Sequence, residues 1–331
     1  MNPEGTLLLT SHDVKALLSV EESITAVERA FKLYGEGKAL PPAIAGVHAR
    51  DGGFHIKAGL LELDRSYFAA KINGNFPQNM KRFGLPLIQG VIVLCDGENG
   101  FPLALMDSIE ITIQRTGAAT AVAAKYLARS DSRTISICGC GNQGRVSLQA
   151  LSRIFSFDRV FAYDIDDLQA QRFAKELSEE LGIEIEAVVE AEGAVSQSDI
   201  CVTCTPSHQF FLNNESVRSG TFVAAVGADS EDKQELEPAL LSENKIIVDI
   251  LEQCASIGEL HHALTSGLIT KEDVHAEFGE VVAGRKLGRT SDEEIIIFDS
   301  TGMALQDVIT AAVVYEKANG RGVGKLISFA D

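Results

Sequence analysis

The sequence predicts an α/β protein: a doubly wound parallel sheet follows residue 130, and a mainly antiparallel sheet precedes it. Three observations predict this. From Thr134 onward, short β-type runs at 134–138, 160–163, 199–204, 221–226 and 245–249 alternate with helical patterns near 144–155, 166–181, 190–197, 213–217 and 235–241; strict alternation is the signature of parallel strands joined by crossover helices. Between the first strand and the first helix stands Gly139-Cys-Gly-Asn-Gln-Gly144, a G-x-G-x-x-G loop. From about 40 to 106 the texture differs: runs such as Tyr67–Ile72 and Leu87–Leu94 are separated by turns at Asp51-Gly-Gly53, Asn73-Gly-Asn75, Asp96-Gly97 and Glu98-Asn-Gly100, as in a sheet built from hairpins.

The chain has 331 residues, long enough for two cores. Its first clear helix opens at the capping box Ser19-Val-Glu-Glu22 and carries Ile24, Val27, Phe31 and Tyr34 on one stripe. After the hairpin region, an alanine-rich helix over 109–129 leads into the glycine loop, and its Thr116–Ala124 stretch is small enough for close packing. A long apolar helix is expected over 301–315. His261-His262 reads as an exposed helix pair.

The glycine loop has the order a dinucleotide site needs. Gly139 makes the tight turn, Gly141 lets backbone approach a pyrophosphate, and Gly144 lets helix and strand pack closely. The following helix offers free N–H groups to phosphate, with Asn142 and Gln143 at its start. Asp164 ends the second strand, 25 residues on (139 to 164), where about 20 is expected for the acid that holds the adenine ribose. Its carboxylate repels a 2′-phosphate, and Ile165-Asp166-Asp167 supply no cation. NAD is therefore favoured over NADP.

Composition narrows the partners. A net charge of −18 argues against nucleic acid, which needs a clustered basic surface. No leader pattern opens the sequence and no apolar run reaches the length of a membrane span. The six cysteines fit a reducing, cytoplasmic setting; Cys201-Val-Thr-Cys204 has redox spacing but lies in an apolar run, where buried small residues are the default. The seven histidines show no ligand spacing, so no metal is expected.

Three residues could carry chemistry. Lys71 sits in an apolar strand and is either its outward-facing residue or a functional cation. Arg115 suits a bidentate grip on a carboxylate, or a structural ion pair. Asp229 follows the 221–226 strand at the sheet edge where open α/β folds bind ligands; it is either a general acid/base or a helix cap. Thr205 and Pro206 end another strand and could touch a cofactor in the same way.

Lys71 with Pro77-Gln-Asn79, Asp107 through Arg115-Thr116, Gly139–Gly144, Thr203-Cys-Thr-Pro206, Val226-Gly-Ala-Asp229, Lys233-Gln-Glu-Leu236, Gly279–Gly284 and Phe298-Asp-Ser-Thr-Gly302 together resemble the ornithine cyclodeaminase/μ-crystallin family through nearly the whole chain. The C-terminal third is most similar to its archaeal-type alanine dehydrogenase and iminosuccinate reductase members. The resemblance implies a homodimer, with a Rossmann-type NAD-binding domain over 119–300. It also implies a discontinuous α+β substrate-binding and dimerisation domain over 1–118 and 301–331. It further implies hydride exchange between NAD and the α-carbon of a small amino or imino acid. Lys71 and Arg115 would hold the substrate carboxylate, Asp229 would serve as acid/base, and Lys71 would be the alternative proton donor. Thr301 and Gly302 would line the pocket. Arg115, Thr116, Thr205, Pro206, Val226, Gly227, Ala228, Asp229 and Lys233 complete the cofactor set.

Two departures bear on substrate. Leu40-Pro-Pro-Ala-Ile-Ala-Gly46 lacks the carboxylate-binding arginine that many members carry, the next arginine being Arg50. His55 stands where cyclodeaminases place a glutamate for a distal amine, and Lys57 adds a cation. A pocket with Lys57, Lys71 and Arg115 suits carboxylates better than a distal ammonium, which counts against the alternative of a lyase making proline and ammonia from ornithine. A non-catalytic, crystallin-like binding protein is the third reading, and retention of Lys71, Arg115 and Asp229 argues against it.

Overall fold

The computed structural model describes residues 5–329. They form two compact units, one of residues up to Arg115 together with those from Met303, the other Thr116–Gly302.

The first unit is built on a seven-stranded sheet. Its strand order is Lys325–Ile327, Thr6–Leu9, Pro102–Asp107, Ile88–Asp96, Ser66–Asn75, Gly52–Glu62 and Ala43–Ala49. Only the Thr6–Leu9 and Pro102–Asp107 pair is parallel. Register divides the sheet chemically, because directly opposed residues in an antiparallel pair point to the same face. His55 opposes Asn73 and Lys57 opposes Lys71, which puts these polar groups on one face. Phe54 opposes Val47, and Ile72 opposes both Ile56 and Val91, which makes the other face apolar.

Two of this unit's helices bear on its sheet and its cluster. Val20–Gly35 starts as its sequence dictates: Ser19 Oγ accepts the Glu22 N–H at 3.2 Å, and the Glu22 carboxylate accepts the Ser19 N–H at 3.0 Å. The C-terminal helix runs over Ala304–Arg321, later at both ends than the expected 301–315. Gly302 has φ +87°, a left-handed conformation that a helix cannot include, and Asp249 accepts its N–H at 2.7 Å.

The second unit is an eight-stranded, wholly parallel sheet. Its order is Ala276–Glu277, Lys245–Val248, Ile296–Asp299, Phe222–Ala225, Ile200–Thr203, Thr134–Cys138, Arg159–Tyr163 and Ile185–Val188. From Thr134–Cys138 the chain goes first to Arg159–Tyr163 on one side and later to Ile200–Thr203 on the other. This is the strand-order reversal at which doubly wound sheets bind ligands. Central strands are buried on both faces, as Ile135, Ile137, Val202 and Val223 show. Two expected helices differ. Residues 214–216 form only a 3-10 turn, and 234–236 form a short strand beside His208–Leu212 before the Pro238–Ser242 helix. Pro238 starts that helix because a missing N–H costs nothing in its first turn.

Candidate functional site

In the first unit, Lys71 and Arg115 converge on an acid that sequence reasoning missed. Lys71 is 4% exposed, Arg115 7% and Asp307 2%. Lys71 Nζ stands 2.8 Å from Asp307 Oδ2, and Arg115 Nε 3.3 Å from Oδ1. Thr112 Oγ1 accepts from Lys71 at 3.3 Å, and Gln306 Oε1 from Arg115 Nη1 at 3.2 Å. Lys71 is thus neither an outward-facing strand residue nor a simple surface cation. Burial pushes its ammonium down to about 7 against the pull of Asp307, with Arg115 and Lys57 adding to the depression. Burial also works against the Asp307 anion, but the attraction of Lys71 and Arg115 outweighs it and holds the carboxyl below its usual range. Two buried cations around one carboxylate leave the cluster positive, which suits an incoming carboxylate. Lys57 is half-buried beside Lys71, and His55, two residues along the same face, is exposed. One buried donor of this cluster, Gln306 Nε2, lacks a hydrogen-bond partner, and an added acceptor can satisfy it.

In the second unit the glycine loop has the geometry expected of it. Gly139 has φ +109°, and a Cβ there would stand 2.9 Å from the Cys204 carbonyl oxygen. A Cβ at Gly144 would stand 2.0 Å from the Gly139 oxygen, whereas at Gly141 it would meet nothing within 4 Å. The two outer glycines are demanded by the fold itself. The middle one keeps open a space that a side chain would fill, at the start of the Asn142–Leu151 helix, where Gly141 supplies no side-chain cap. These residues fit a dinucleotide pyrophosphate. Asp164 accepts the Cys140 N–H at 2.8 Å on one oxygen and the Asp166 N–H at 3.0 Å on the other. Its carboxylate is thereby fixed at the end of the second strand, next to the loop.

The remaining candidates lie at the C-terminal ends of the parallel strands. Thr205 and Pro206 follow Ile200–Thr203, and Val226-Gly-Ala-Asp229 follows Phe222–Ala225. The Asp229 side chain is 58% exposed and accepts from Lys233 Nζ at 2.6 Å. It caps no regular helix, since the next element is the Gln234–Leu236 strand. Thr116 and Thr301 are buried. Asp249 gathers the turn before the last helix, accepting from Gly302 N at 2.7 Å and Ser300 Oγ at 2.9 Å, with Thr301 Oγ1 at 3.5 Å. Cys201 is fully buried, and the Cys204 thiol donates to the Gly139 and Cys138 carbonyls at 3.2 and 3.4 Å; burial pushes that thiol well up from its usual range. His261 and His262 are half-buried, against the expectation of an exposed pair. The His262 ring lies 2.7 Å from the Lys233 carbonyl oxygen and the His261 ring 3.2 Å from that of Ala255.

Sequence reasoning also missed a set of buried acids in this unit: Glu235, Asp249, Glu259 and Asp299, each 1% exposed or less. Asp299 accepts the Leu260 N–H at 2.9 Å, and Glu259 accepts the Glu235 and Leu236 N–H groups at 2.7 and 3.1 Å. Burial raises Asp299 to about 7 and drives Glu259 well above the carboxylate range, with Glu235 and Asp299 adding to the Glu259 rise. The available signal was a lone acid closing an apolar strand, as in Ile246-Ile-Val-Asp249 and Ile296-Ile-Phe-Asp299.

Comparison with known proteins agrees with both units. The model of the ornithine cyclodeaminase/mu-crystallin family matches residues 4–322. The chain is 44% identical over 324 residues to an alanine dehydrogenase of Archaeoglobus fulgidus, covering 98% of each. An archaeal alanine dehydrogenase dimer with bound NAD superposes with a TM-score of 0.93, at 44% identity over 98% of this chain and 99% of that one. The Delta(1)-pyrroline-2-carboxylate reductase of Thermococcus litoralis, in complex with NADH and L-proline, gives 0.92 at 38% identity, over 97% of this chain and 100% of that one. The chain belongs to the ornithine cyclodeaminase/mu-crystallin family.

Proposed function

We propose that this protein is an NAD-dependent oxidoreductase that exchanges hydride with the α-carbon of a small amino or imino acid, as an amino-acid dehydrogenase or imine reductase. The observation that carries the reading is the buried Lys71–Asp307–Arg115 cluster, a carboxylate-binding device in a chain that also carries a dinucleotide loop. Arg115 and Lys71 grip the α-carboxylate. NAD, held by Gly139, Gly141, Gly144, Asn142, Gln143 and Asp164, supplies or accepts the hydride. Thr205, Pro206, Val226, Gly227, Ala228 and Lys233 support it further. Asp229 moves the proton at the amino or imino nitrogen, with Lys71, poised near neutrality, as the alternative donor. Thr116, Thr301 and Gly302 shape the surroundings. Lys57 extends the cationic face beyond Lys71, with His55 two residues along the same face, so the substrate's side chain meets a cation rather than an acid that would hold a distal ammonium. Alanine is the substrate named for the 44%-identical relative, and the class includes it.

The reading extends to a homodimer joined through the apolar sheet face. Val47, Phe54, Ile72 and Val91 are 38–56% exposed there, and a contiguous apolar patch of this kind marks an interface. It also extends to a reducing cytoplasmic setting, which the free, mostly buried cysteines suit. Among the described residues no helix is long and apolar enough to cross a membrane.

The test is direct. Purified protein with NADH is offered pyruvate, glyoxylate or oxaloacetate with ammonia or methylamine, and cyclic imino acids, while the reduced-nicotinamide absorbance is followed. Loss of absorbance with at least one substrate is expected; none with any of them overturns the reading. Ammonia and proline formed from ornithine without net NADH would establish the lyase instead.

A further inference from the structure

Glu235 is fully buried, yet it is absent from every role assigned so far. Its Oε1 accepts the Thr205 N–H at 2.6 Å and the Thr205 hydroxyl at 2.7 Å, and its Oε2 accepts the Gly227 N–H at 3.1 Å. Thr205 and Gly227 lie just beyond the C-terminal ends of two adjacent parallel strands. These strands are on the opposite side of Thr134–Cys138 from Asp164 and the Arg159–Tyr163 strand. In a doubly wound sheet the dinucleotide crosses the switch point. With its adenosine half at Asp164, its nicotinamide half would lie toward the Thr205 and Gly227 loops. One carboxylate thus ties together the two loops that would meet the reactive end of the cofactor.

We infer that Glu235 is a positioning residue for the nicotinamide half of NAD, setting the spacing of the Thr205 and Gly227 loops through one carboxylate. The inference rests on assigning those loops to the cofactor. The clamp has little slack. A Cβ at Gly227 would stand 2.4 Å from Glu235 Oε2 and 2.6 Å from the Thr205 carbonyl oxygen, so only glycine lets the loop reach the acid. The backbone of Glu235 is fixed in turn, because Glu259 accepts the Glu235 and Leu236 N–H groups and the Gln234–Leu236 strand pairs with His208–Leu212. Burial raises the Glu235 carboxyl to about 7, while the donors on Thr205 and Gly227 work to keep it charged. A buried acid with three donors aimed at it loses an acceptor when it becomes an amide, and then one N–H faces another.

Two ligands separate this role from a general structural one. NADH spans both halves of the site, whereas ADP-ribose lacks nicotinamide. Glu235→Gln should weaken NADH binding, read from nicotinamide fluorescence, by about tenfold or more, the scale of one lost charge-assisted hydrogen bond. Its affinity for ADP-ribose, read by calorimetry, should stay within about twofold. Thr205→Val, which removes only a hydroxyl, should give a smaller loss with the same selectivity. Unchanged NADH affinity in Glu235→Gln, or equal weakening of both ligands in a folded variant, overturns the inference. If Glu235→Gln binds neither ligand because it does not fold, Thr205→Val decides: weaker NADH alone supports the clamp, and unchanged NADH overturns it. Wild-type protein that binds ADP-ribose but gives no nicotinamide fluorescence change with NADH overturns the loop assignment instead.

Discussion

Replacing Asp307 by asparagine preserves the shape of the side chain and removes its charge from between Lys71 and Arg115. At the 2.8 Å separation from Lys71, Coulomb attraction at an effective dielectric of about 20 is roughly 6 kcal/mol. Arg115 at 3.3 Å adds a similar amount. Most of this offsets the desolvation of three charges, so the net loss expected when one partner of such a buried set is removed is about 3–5 kcal/mol. Lys71 responds by shedding its proton more readily, because the group that opposed its depression is gone. The assay is urea unfolding at fixed protein concentration, followed by circular dichroism, together with Lys71→Met and the double variant. The double variant should be less unstable than the two single losses summed, by about 1 kcal/mol or more, as for groups in direct contact. In turnover, the alkaline limb of imine reduction should move to lower pH. An Asp307→Asn protein within about 1 kcal/mol of wild type, with an unmoved pH limb, would refute the account of the cluster.

Other outcomes follow from the same geometry. Asp229→Asn should collapse turnover while NADH affinity stays within a few fold; a fully active variant removes Asp229 from the chemistry. Gly141→Ala should abolish NADH binding with little change in Tm, because its Cβ enters open space. Gly144→Ala should unfold or destabilise the unit, because its Cβ would stand 2.0 Å from the Gly139 oxygen; equal effects in the two, measured by calorimetry and thermal melts, would contradict the assigned roles. Lys71 is charged below about 7 and neutral above it, so reduction that draws its proton should fall as pH rises through that value. Lys71→Arg, which stays charged, should remove that limb from the rate profile; a limb that persists belongs to another group. Phe54→Asp should convert the dimer to monomer in light scattering, and an unchanged mass would place the interface elsewhere.

The glycine loop and its flanking strands were legible because every constraint on them is local. Gly139, Gly141, Gly144 and Asp164 act within 25 residues of one another (139 to 164), and turn, helix start and strand end each leave a residue-type signature. The hairpin strands were legible for the same reason, and their period of two already puts His55 and Lys57 on one face. Asp307 was not legible. It is 236 residues from Lys71, in a helix whose neighbours Leu305, Val308 and Ile309 are apolar. Only the Gln306-Asp307 pair interrupts that pattern, and nothing local says what it meets. The buried acids Glu235, Asp249, Glu259 and Asp299 escaped for a related reason. Their partners are mostly backbone N–H groups, which every residue but proline carries and no sequence pattern marks. The helix at 301–315 was placed too early because apolar periodicity cannot register that Gly302 is pinned in a turn by Asp249.

The same long separation governs how the chain is assembled during synthesis. The Thr116–Gly302 unit is continuous and can complete its parallel sheet as soon as it leaves the ribosome. The other unit cannot, because its sheet emerges first but Asp307 and the Ala304–Arg321 helix come last. Until then Lys71 and Arg115 lack the carboxylate they close around, and the Thr6–Leu9 strand lacks its Lys325–Ile327 neighbour. The first part made is thus the last part finished, and its half-formed sheet must wait with the Lys71 face uncovered, where Leu305 later packs on Gly59 and Asp307 meets Lys71. A nascent chain halted at Gly302 has a complete nucleotide-binding unit but no neutralised cation pair. The C-terminal helix thus sets the timing: the Lys71–Asp307–Arg115 cluster closes only once the Ala304–Arg321 helix has been made.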